Sequence, residues 1–309
     1  MAAGGSSKAV VTALFANLGI AIAKFVGFLI TSSSSMLAES IHSVADTTNQ
    51  GLLLLGGKRA QRDATDTHQF GHGRERYFWS FVVALLLFSV GAGYAIYEGI
   101  LKIRDPHEIS SVGVAVGILL FAIVAEAYAF NTAFRQAQEI RGDRSWWEFI
   151  RSTRNPELPV VLLEDSGAML GLLVALGGVG LSAATDNPIY DGIATLIIGL
   201  ILAAIAVMLA VEMKSLIIGE SANPAITNRL LAALDDDPSI ENVVDLRTQH
   251  IGPDDLLVTA RVKFDPALSG DALARAIDRV HEELAESVPI AKFIYVEPEL
   301  HDVAPAEAP

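Results

Sequence analysis

The sequence contains no cysteine, and this absence excludes both disulfide bonds and thiolate metal sites. Charged residues are also sparse, at 19% of the 309 residues, whereas hydrophobic residues make up 51%. The mean hydropathy is +0.42, which is too apolar for an ordinary soluble domain of this length. The composition therefore indicates an integral membrane protein.

Basic residues are scarce in the C-terminal part of the chain. From Ile217 onward there are 7 Lys and Arg against 18 Asp and Glu, which gives a net charge of −11 out of −14 for the whole chain. A region this acidic repels phosphate groups, so we expect it to bind neither nucleic acid nor the surface of an anionic membrane leaflet.

Six apolar stretches precede residue 216, and each is long enough to cross a hydrocarbon core as a helix. The first is too long for a signal peptide and lacks a small-residue cleavage pattern. We predict spans near residues 10–30, 36–57, 79–103, 112–134, 160–184 and 189–211. The predicted domains are a six-span transmembrane domain over 1–216, a cytoplasmic domain over 217–300 and a disordered tail over 301–309.

Basic residues concentrate in two of the predicted loops, after span two and after span four. By the positive-inside rule these loops are cytoplasmic, and so are both termini. The loop residues are Lys58, Arg59, Arg62, Arg74, Arg76, Arg135, Arg141, Arg144, Arg151 and Arg154. The sequence thus predicts a multi-pass protein of the cell (inner) membrane.

The C-terminal region shows a helix, two strands, a second helix and a last strand. We predict a helix over 225–234, a hairpin of "VVDLRTQHI" and "LLVTARVKF" around "GPDD", and a final strand in "KFIYVEP". Ser269 is the predicted N-cap of the second helix, which runs to about Glu286. The expected fold is a compact α+β domain.

The stretch "LAESIHSVADTTNQ" brings Glu39, His42 and Asp46 into the second predicted span. At 100° per residue the three lie on one face of a helix, and His42 and Asp46 are one turn apart. The fifth span carries Glu164 and Asp165. Imidazole and carboxylate groups converging from two helices are ligands for a divalent metal, zinc in tetrahedral form or manganese and iron in carboxylate-rich sites. For any one of these residues, snorkelling or a hydrogen bond to a neighbouring backbone is the alternative.

These features resemble the cation diffusion facilitator family. The resemblance rests on six spans, "HSVAD" in span two, acidic residues in span five, "HQFGHGRERYFWS" in the following loop and a small C-terminal domain. It implies a homodimeric exporter of zinc or a similar divalent ion in exchange for protons, with a ferredoxin-like cytoplasmic dimerisation domain. "LLEDSGAMLG" is similar to the subgroup related to mitochondrial zinc transporter-like members.

The resemblance also implies a ligand set. His42, Asp46 and Asp165 fall on family ligand positions, whereas the first span-five position holds Val161. The site is then one ligand short, and either Glu164 or Glu39 supplies the fourth oxygen.

Two further metal sites are candidates by the same resemblance. Asp66, His68 and His72 lie in the loop where some relatives bind a second ion, although the intervening "FG" favours a turn. In the tail the candidates are His250, His281 and His301, and a family histidine position there holds Val244.

The predicted function is divalent cation efflux, and the preferred mechanism is zinc/proton antiport by alternating access. Export of manganese, iron or cobalt is an alternative within the family, and a membrane metal sensor that does not transport is an alternative outside it. No H-E-x-x-H helix or G-x-S-x-G elbow is present, so we expect no enzyme. We expect no cofactor, since the metal is cargo and protons are the counter-ion.

Overall fold

The computed structural model describes residues 3–32, 34–107 and 111–299. The predicted tail 301–309, with His301, lies outside the described residues. The chain divides into two units. The first comprises the residues up to Arg59 together with Glu75–Lys214, and the second comprises Ala60–Arg74 together with the residues from Ser215 onward.

The secondary structure described for the first unit consists of helices. Its helices are α1 (Ala3–Thr31), α2 (Ser34–Ala60), α3 (Glu75–Leu86), α4 (Gly93–Arg104), α5 (Val112–Arg141), the short α6 (Trp146–Ser152), α7 (Glu157–Thr185) and α8 (Ile189–Ile218). A π-helical segment, Leu87–Ala92, joins α3 to α4. The third predicted span is therefore interrupted by a wider turn, a feature that hydropathy does not reveal.

Among the residues that the structure describes, four helical segments are long and apolar enough to cross a membrane by length and composition: Glu75–Arg104, Val112–Arg141, Glu157–Thr185 and Ile189–Ile218. Leu18–Thr31 of α1 is a shorter apolar helix. In α2 the polar stretch around His42 lowers the mean hydropathy of an otherwise continuous helix of 27 residues. The predicted fold class of this part, an α-helical membrane domain, is confirmed, and the six-span boundaries stay a prediction.

The bundle core is built from large aliphatic side chains and glycines. Leu119 of α5, Leu172 of α7 and Ile198 of α8 are fully buried in one cluster. Where α4 meets α8, a Cβ added to Gly99 would lie 2.6 Å from the backbone nitrogen of Leu196. The two backbones approach too closely there for any side chain, which is a common use of small residues between membrane helices.

The second unit contains a three-stranded sheet with two helices. Its elements are α9 (Pro224–Asp236), β1 (Ile240–Gly252), β2 (Asp255–Phe264), α10 (Gly270–Ser287) and β3 (Ala291–Pro298). The strand order is β1-β2-β3, with β1 antiparallel and β3 parallel to the central β2. The hairpin and the parallel pair joined through α10 agree with the ferredoxin-like fold that the sequence predicts.

Local sequence explains where these elements begin. Asn223 caps α9 by accepting a hydrogen bond from the Ile226 amide, and Pro224 occupies the first turn. Ser269 caps α10 by accepting from the Ala272 amide, as predicted. Alternate residues of β2, from Leu256 to Phe264, are buried against α9 and α10. One face of the sheet thus forms the core of this unit.

Candidate metal site in the helical bundle

The polar motif of the second span lies within one unbroken helix. α2 runs through Glu39, His42 and Asp46 without interruption, so the backbone places these residues on one face as predicted. Their side chains lie outside the described residues. Asn49, which is not among the predicted ligands, follows Asp46 by three positions and shares that face.

Glu164 of α7 makes the contact that joins the two motif-bearing helices. The side-chain amide of Asn49 donates a hydrogen bond of 2.8 Å to Glu164 Oε1. Asn49 is fully buried and Glu164 is 4% exposed. The face of α2 that carries His42 and Asp46 is therefore turned toward the acidic residues of α7.

Asp165 faces a different neighbour from Glu164. It is 8% exposed and interacts electrostatically with Glu126 of α5, which is also buried. Consecutive residues of a helix point about 100° apart, so Glu164 contacts Asn49 of α2 while Asp165 lies near Glu126 of α5, yet the two carboxylates are close enough to interact electrostatically with each other. Glu126 lies within the fourth predicted span, and the packing of α5 on α7 brings it near Asp165.

Val161, at the first family ligand position of span five, has an apolar environment. It packs against a cluster that contains Leu53 of α2, Val83 of α3 and Leu209 of α8. The position thus contributes to the hydrophobic core and offers no ligand atom.

α1 contacts α2 beside the motif through polar groups. Lys24 is 1% exposed, and its amino group donates a hydrogen bond of 2.8 Å to Ser43 Oγ. One turn before Ser43, the Ser40 hydroxyl donates to the Ala21 carbonyl oxygen at 3.3 Å. These bonds link α1 to α2 next to His42, and sequence periodicity alone did not identify them.

The loop histidines lie in a turn. The Gly71 amide donates to the His68 carbonyl oxygen, and Gly71 has a φ of +80°, so the "FG" in this loop forms the turn that it favours. The rings of His68 and His72 have centroids 4.7 Å apart. Asp66 and His68 are exposed, and Asp66 does not complete a three-ligand group with the two rings.

The two described histidines of the C-terminal domain differ in their exposure to solvent. His250 in β1 is 2% exposed, with Nδ1 3.2 Å from the Gly252 carbonyl oxygen. His281 in α10 is exposed. Among the side chains that the structure describes, no three histidine or acidic groups converge closely enough to hold a metal ion. The side chains of His42 and Asp46 are not among them.

Comparison with known proteins finds relatives that are named for metal transport or metal tolerance. The proton-coupled zinc antiporter SLC30A9, mitochondrial, of Homo sapiens is 32% identical over 264 residues, which cover 84% of this chain and 46% of that protein. Metal tolerance protein C4 of Arabidopsis thaliana is 27% identical over 262 residues, covering 84% of this chain and 57% of that one. The chain thus spans about half the length of these relatives.

A bacterial relative matches at closer to full length. Magnetosome protein MamB of Paramagnetospirillum magneticum is 24% identical over 283 residues, covering 91% of this chain and 90% of that protein. Among solved structures, MamM-CTD 215-293 is 19% identical with a TM-score of 0.24, covering 25% of this chain and 96% of that chain.

A protein-family model matches the helical part of the chain. The model of the cation efflux transmembrane domain matches residues 10–218, which include both α2 and α7 with their polar motifs. This chain belongs to the cation efflux family, the cation diffusion facilitators.

Proposed function

We propose that this protein exports a divalent metal cation across the membrane, with zinc as the first substrate and protons as the counter-ion. The observation that carries the proposal is the hydrogen bond from Asn49 to Glu164. It joins the α2 face of His42 and Asp46 to the α7 acidic residues inside a membrane bundle. The similarity to relatives named as proton-coupled zinc antiporters supports zinc as the ion.

The proposed ligands are His42, Asp46, Asp165 and Glu164, with Glu39 as the alternative to Glu164. Intramembrane ionisable groups are costly, and a bound cation is a direct way to compensate several carboxylates at once. The buried positions of Glu164 and Asp165 agree with such a site. Since Val161 lies in an apolar cluster, the site draws its oxygens from other positions.

Proton coupling follows from the chemistry of these ligands. The metal binds a neutral imidazole and ionised carboxylates, so binding displaces protons and protonation releases the metal. If the helices expose the site alternately to the two sides, a proton gradient directed inward drives the metal outward. We also propose that both termini are cytoplasmic and that the protein lies in the inner membrane. In the same proposal, the C-terminal domain joins two copies into a homodimer.

The second candidate is export of manganese, iron or cobalt by the same site. The carboxylates of the proposed site would provide oxygen ligands, which manganese prefers more than zinc does. Two secondary metal sites are also proposed. One is the loop set of Asp66, His68 and His72, and the other involves His250 and His281 of the C-terminal domain. A sensor that binds metal without moving it is the remaining alternative.

The deciding experiment is metal flux into proteoliposomes with and without an imposed pH gradient, for zinc, manganese, iron and cobalt in turn. We expect zinc flux that requires the gradient, and a reduction of at least about tenfold in His42→Ala, Asp46→Asn and Asp165→Asn. Glu98→Gln, which changes an acidic residue elsewhere in the spans, is the matched control and should keep most of the flux. Normal flux in Asp46→Asn would overturn the site, and metal binding without flux of any ion would favour the sensor.

A further inference from the structure

Asn49 is a polar residue that the proposed ligand set leaves unexplained. It is 0% exposed, and its Nδ2 donates to Glu164 Oε1 at 2.8 Å. Its Oδ1 is buried and has no hydrogen-bond partner among the residues that the structure describes. Buried amide oxygens almost always accept a hydrogen bond or bind a cation, so this atom requires an explanation.

The hydrogen bond to Glu164 fixes which end of the amide is available. A carboxylate oxygen accepts but does not donate, so the amide nitrogen must be the end that faces Glu164. This orientation leaves Oδ1 as an acceptor with two lone pairs in the interior between α2 and α7. Asn49 also borders an apolar cavity of about 470 Å³ beside α1, but Oδ1 is shielded from that space.

The position of Asn49 on α2 connects it with the proposed ligands. It follows Asp46 by three residues and His42 by seven, which places all three on one helical face. Thr48, the preceding residue, is exposed and its hydroxyl donates to the Val44 carbonyl oxygen of its own helix. Gln50, the following residue, is also buried, and its Oε1 likewise has no hydrogen-bond partner among the described residues. Asn49 differs in that its amide nitrogen contacts Glu164 of α7.

We propose that Asn49 is a metal-binding residue of the intramembrane site, in which Oδ1 contacts the transported cation while Nδ2 holds Glu164 in place. This rests on the proposed function, because it adds a ligand to the same site. It adds a neutral oxygen to the proposed set of His42, Asp46, Asp165 and Glu164. An amide oxygen is a neutral ligand of the kind that manganese accepts readily and zinc uses less often. The residue therefore biases the site toward oxygen-preferring ions.

The test is metal binding by the full-length protein purified in detergent, measured calorimetrically with zinc and with manganese as the probes. In Asn49→Leu we expect manganese affinity to fall by roughly tenfold or more, and zinc affinity to fall less. Asn49→Asp keeps an oxygen but loses the donor to Glu164, and we expect it to bind manganese better than Asn49→Leu. Thr48→Ala is the matched control on the same helix and should bind as the unmodified protein does.

A double-mutant cycle separates a ligand from a residue that only positions Glu164. In a Glu164→Gln background, Asn49→Leu should weaken manganese binding further if Oδ1 contacts the ion, because the two losses are then separate. No further loss in that background, or equal binding by Asn49→Asp and Asn49→Leu, would overturn the proposal. Gel filtration and thermal unfolding confirm that each variant is folded, and Asn49→Ser replaces Asn49→Leu if the latter is not.

The outcomes also separate this inference from the proposed function. If the unmodified protein moves metal and Asn49→Leu binds zinc and manganese unchanged, the function stands and the role of Asn49 is refuted. If the unmodified protein binds no divalent ion, the proposed function fails, and the assignment of Asn49 fails with it.

Discussion

Lys24 and Ser43 form a buried polar contact between α1 and α2. Lys24 is 1% exposed, and its amino group donates a hydrogen bond to Ser43 Oγ. Loss of a hydrogen bond costs about 0.5–1.5 kcal/mol, and more when one partner is charged. We expect Ser43→Ala to lower the unfolding temperature in detergent. Thr48→Ala, which loses a bond within its own exposed helical turn, should have little effect, and an equal effect of the two substitutions would contradict this account.

The residues of the candidate site differ in how far the sequence could predict them. Intramembrane charge identifies Glu164 and Asp165 as unusual, and helical periodicity groups His42 with Asp46. Asn49 was missed because it is uncharged, although the same periodicity places it on that face. The partners of Glu164 and Asp165 depend on which helices adjoin α7, and no local pattern encodes this.

At the scale of elements, Asp237 links the end of α9 to α10. Its carboxylate accepts hydrogen bonds from Arg279 Nε at 2.8 Å and from the Ser239 amide at 2.8 Å. Burial alone would raise the pKa of Asp237, but the hydrogen bonds from Arg279 and Ser239 outweigh it and lower the pKa below its usual value. The ionised carboxylate is therefore a stabilising part of this fold.

The pH dependence follows from the direction of that shift. A lowered folded-state pKa contributes stability above the ordinary value of about 3.9, and this contribution is lost as the pH falls through the folded-state pKa. We expect Asp237→Asn to destabilise the C-terminal domain at pH 7 and to differ less from the unmodified protein below about pH 4. Hydrogen exchange of α9 and α10 in the full chain measures this. Asp245→Asn, which breaks an exposed pair with Arg247, should have little effect at either pH.

The elements themselves were largely predictable, and the exceptions have physical causes. Long apolar runs specify the membrane helices, and the alternation in "LLVTARVKF" specifies β2 with its buried face. The π-helical segment Leu87–Ala92 was missed because a one-residue change in hydrogen-bond spacing leaves hydropathy unchanged. β1 begins at Ile240, three residues earlier than predicted, because pairing with β2 extends across irregular register at Asn242.

At the scale of the whole molecule, the loop between α2 and α3 groups with the C-terminal domain and not with the bundle. Its backbone packs directly on the β1–β2 hairpin, since a Cβ on Gly73 would lie 3.0 Å from Gly252 Cα and 3.1 Å from the Ile251 carbonyl oxygen. Phe70 adds an edge-on contact with Phe293 of β3 at 5.1 Å between ring centroids. The contact joins residues far apart in sequence, so the sequence did not reveal it.

This contact gives a test of whether the loop is held by the domain. Gly73→Ala places a methyl group against the hairpin backbone, which cannot move aside as a flexible side chain would, so we expect the loop to detach. Hydrogen exchange over residues 60–74 should then become faster in the full chain, and Gly252→Ala should have the same effect, because its Cβ would lie 2.8 Å from Gly73 Cα. Gly270→Ala, in open space in the same domain, is the control. Unchanged exchange in both variants would show that the loop is not held there, whereas faster exchange together with slower metal flux would mean that the domain acts on α2 through the loop that follows it.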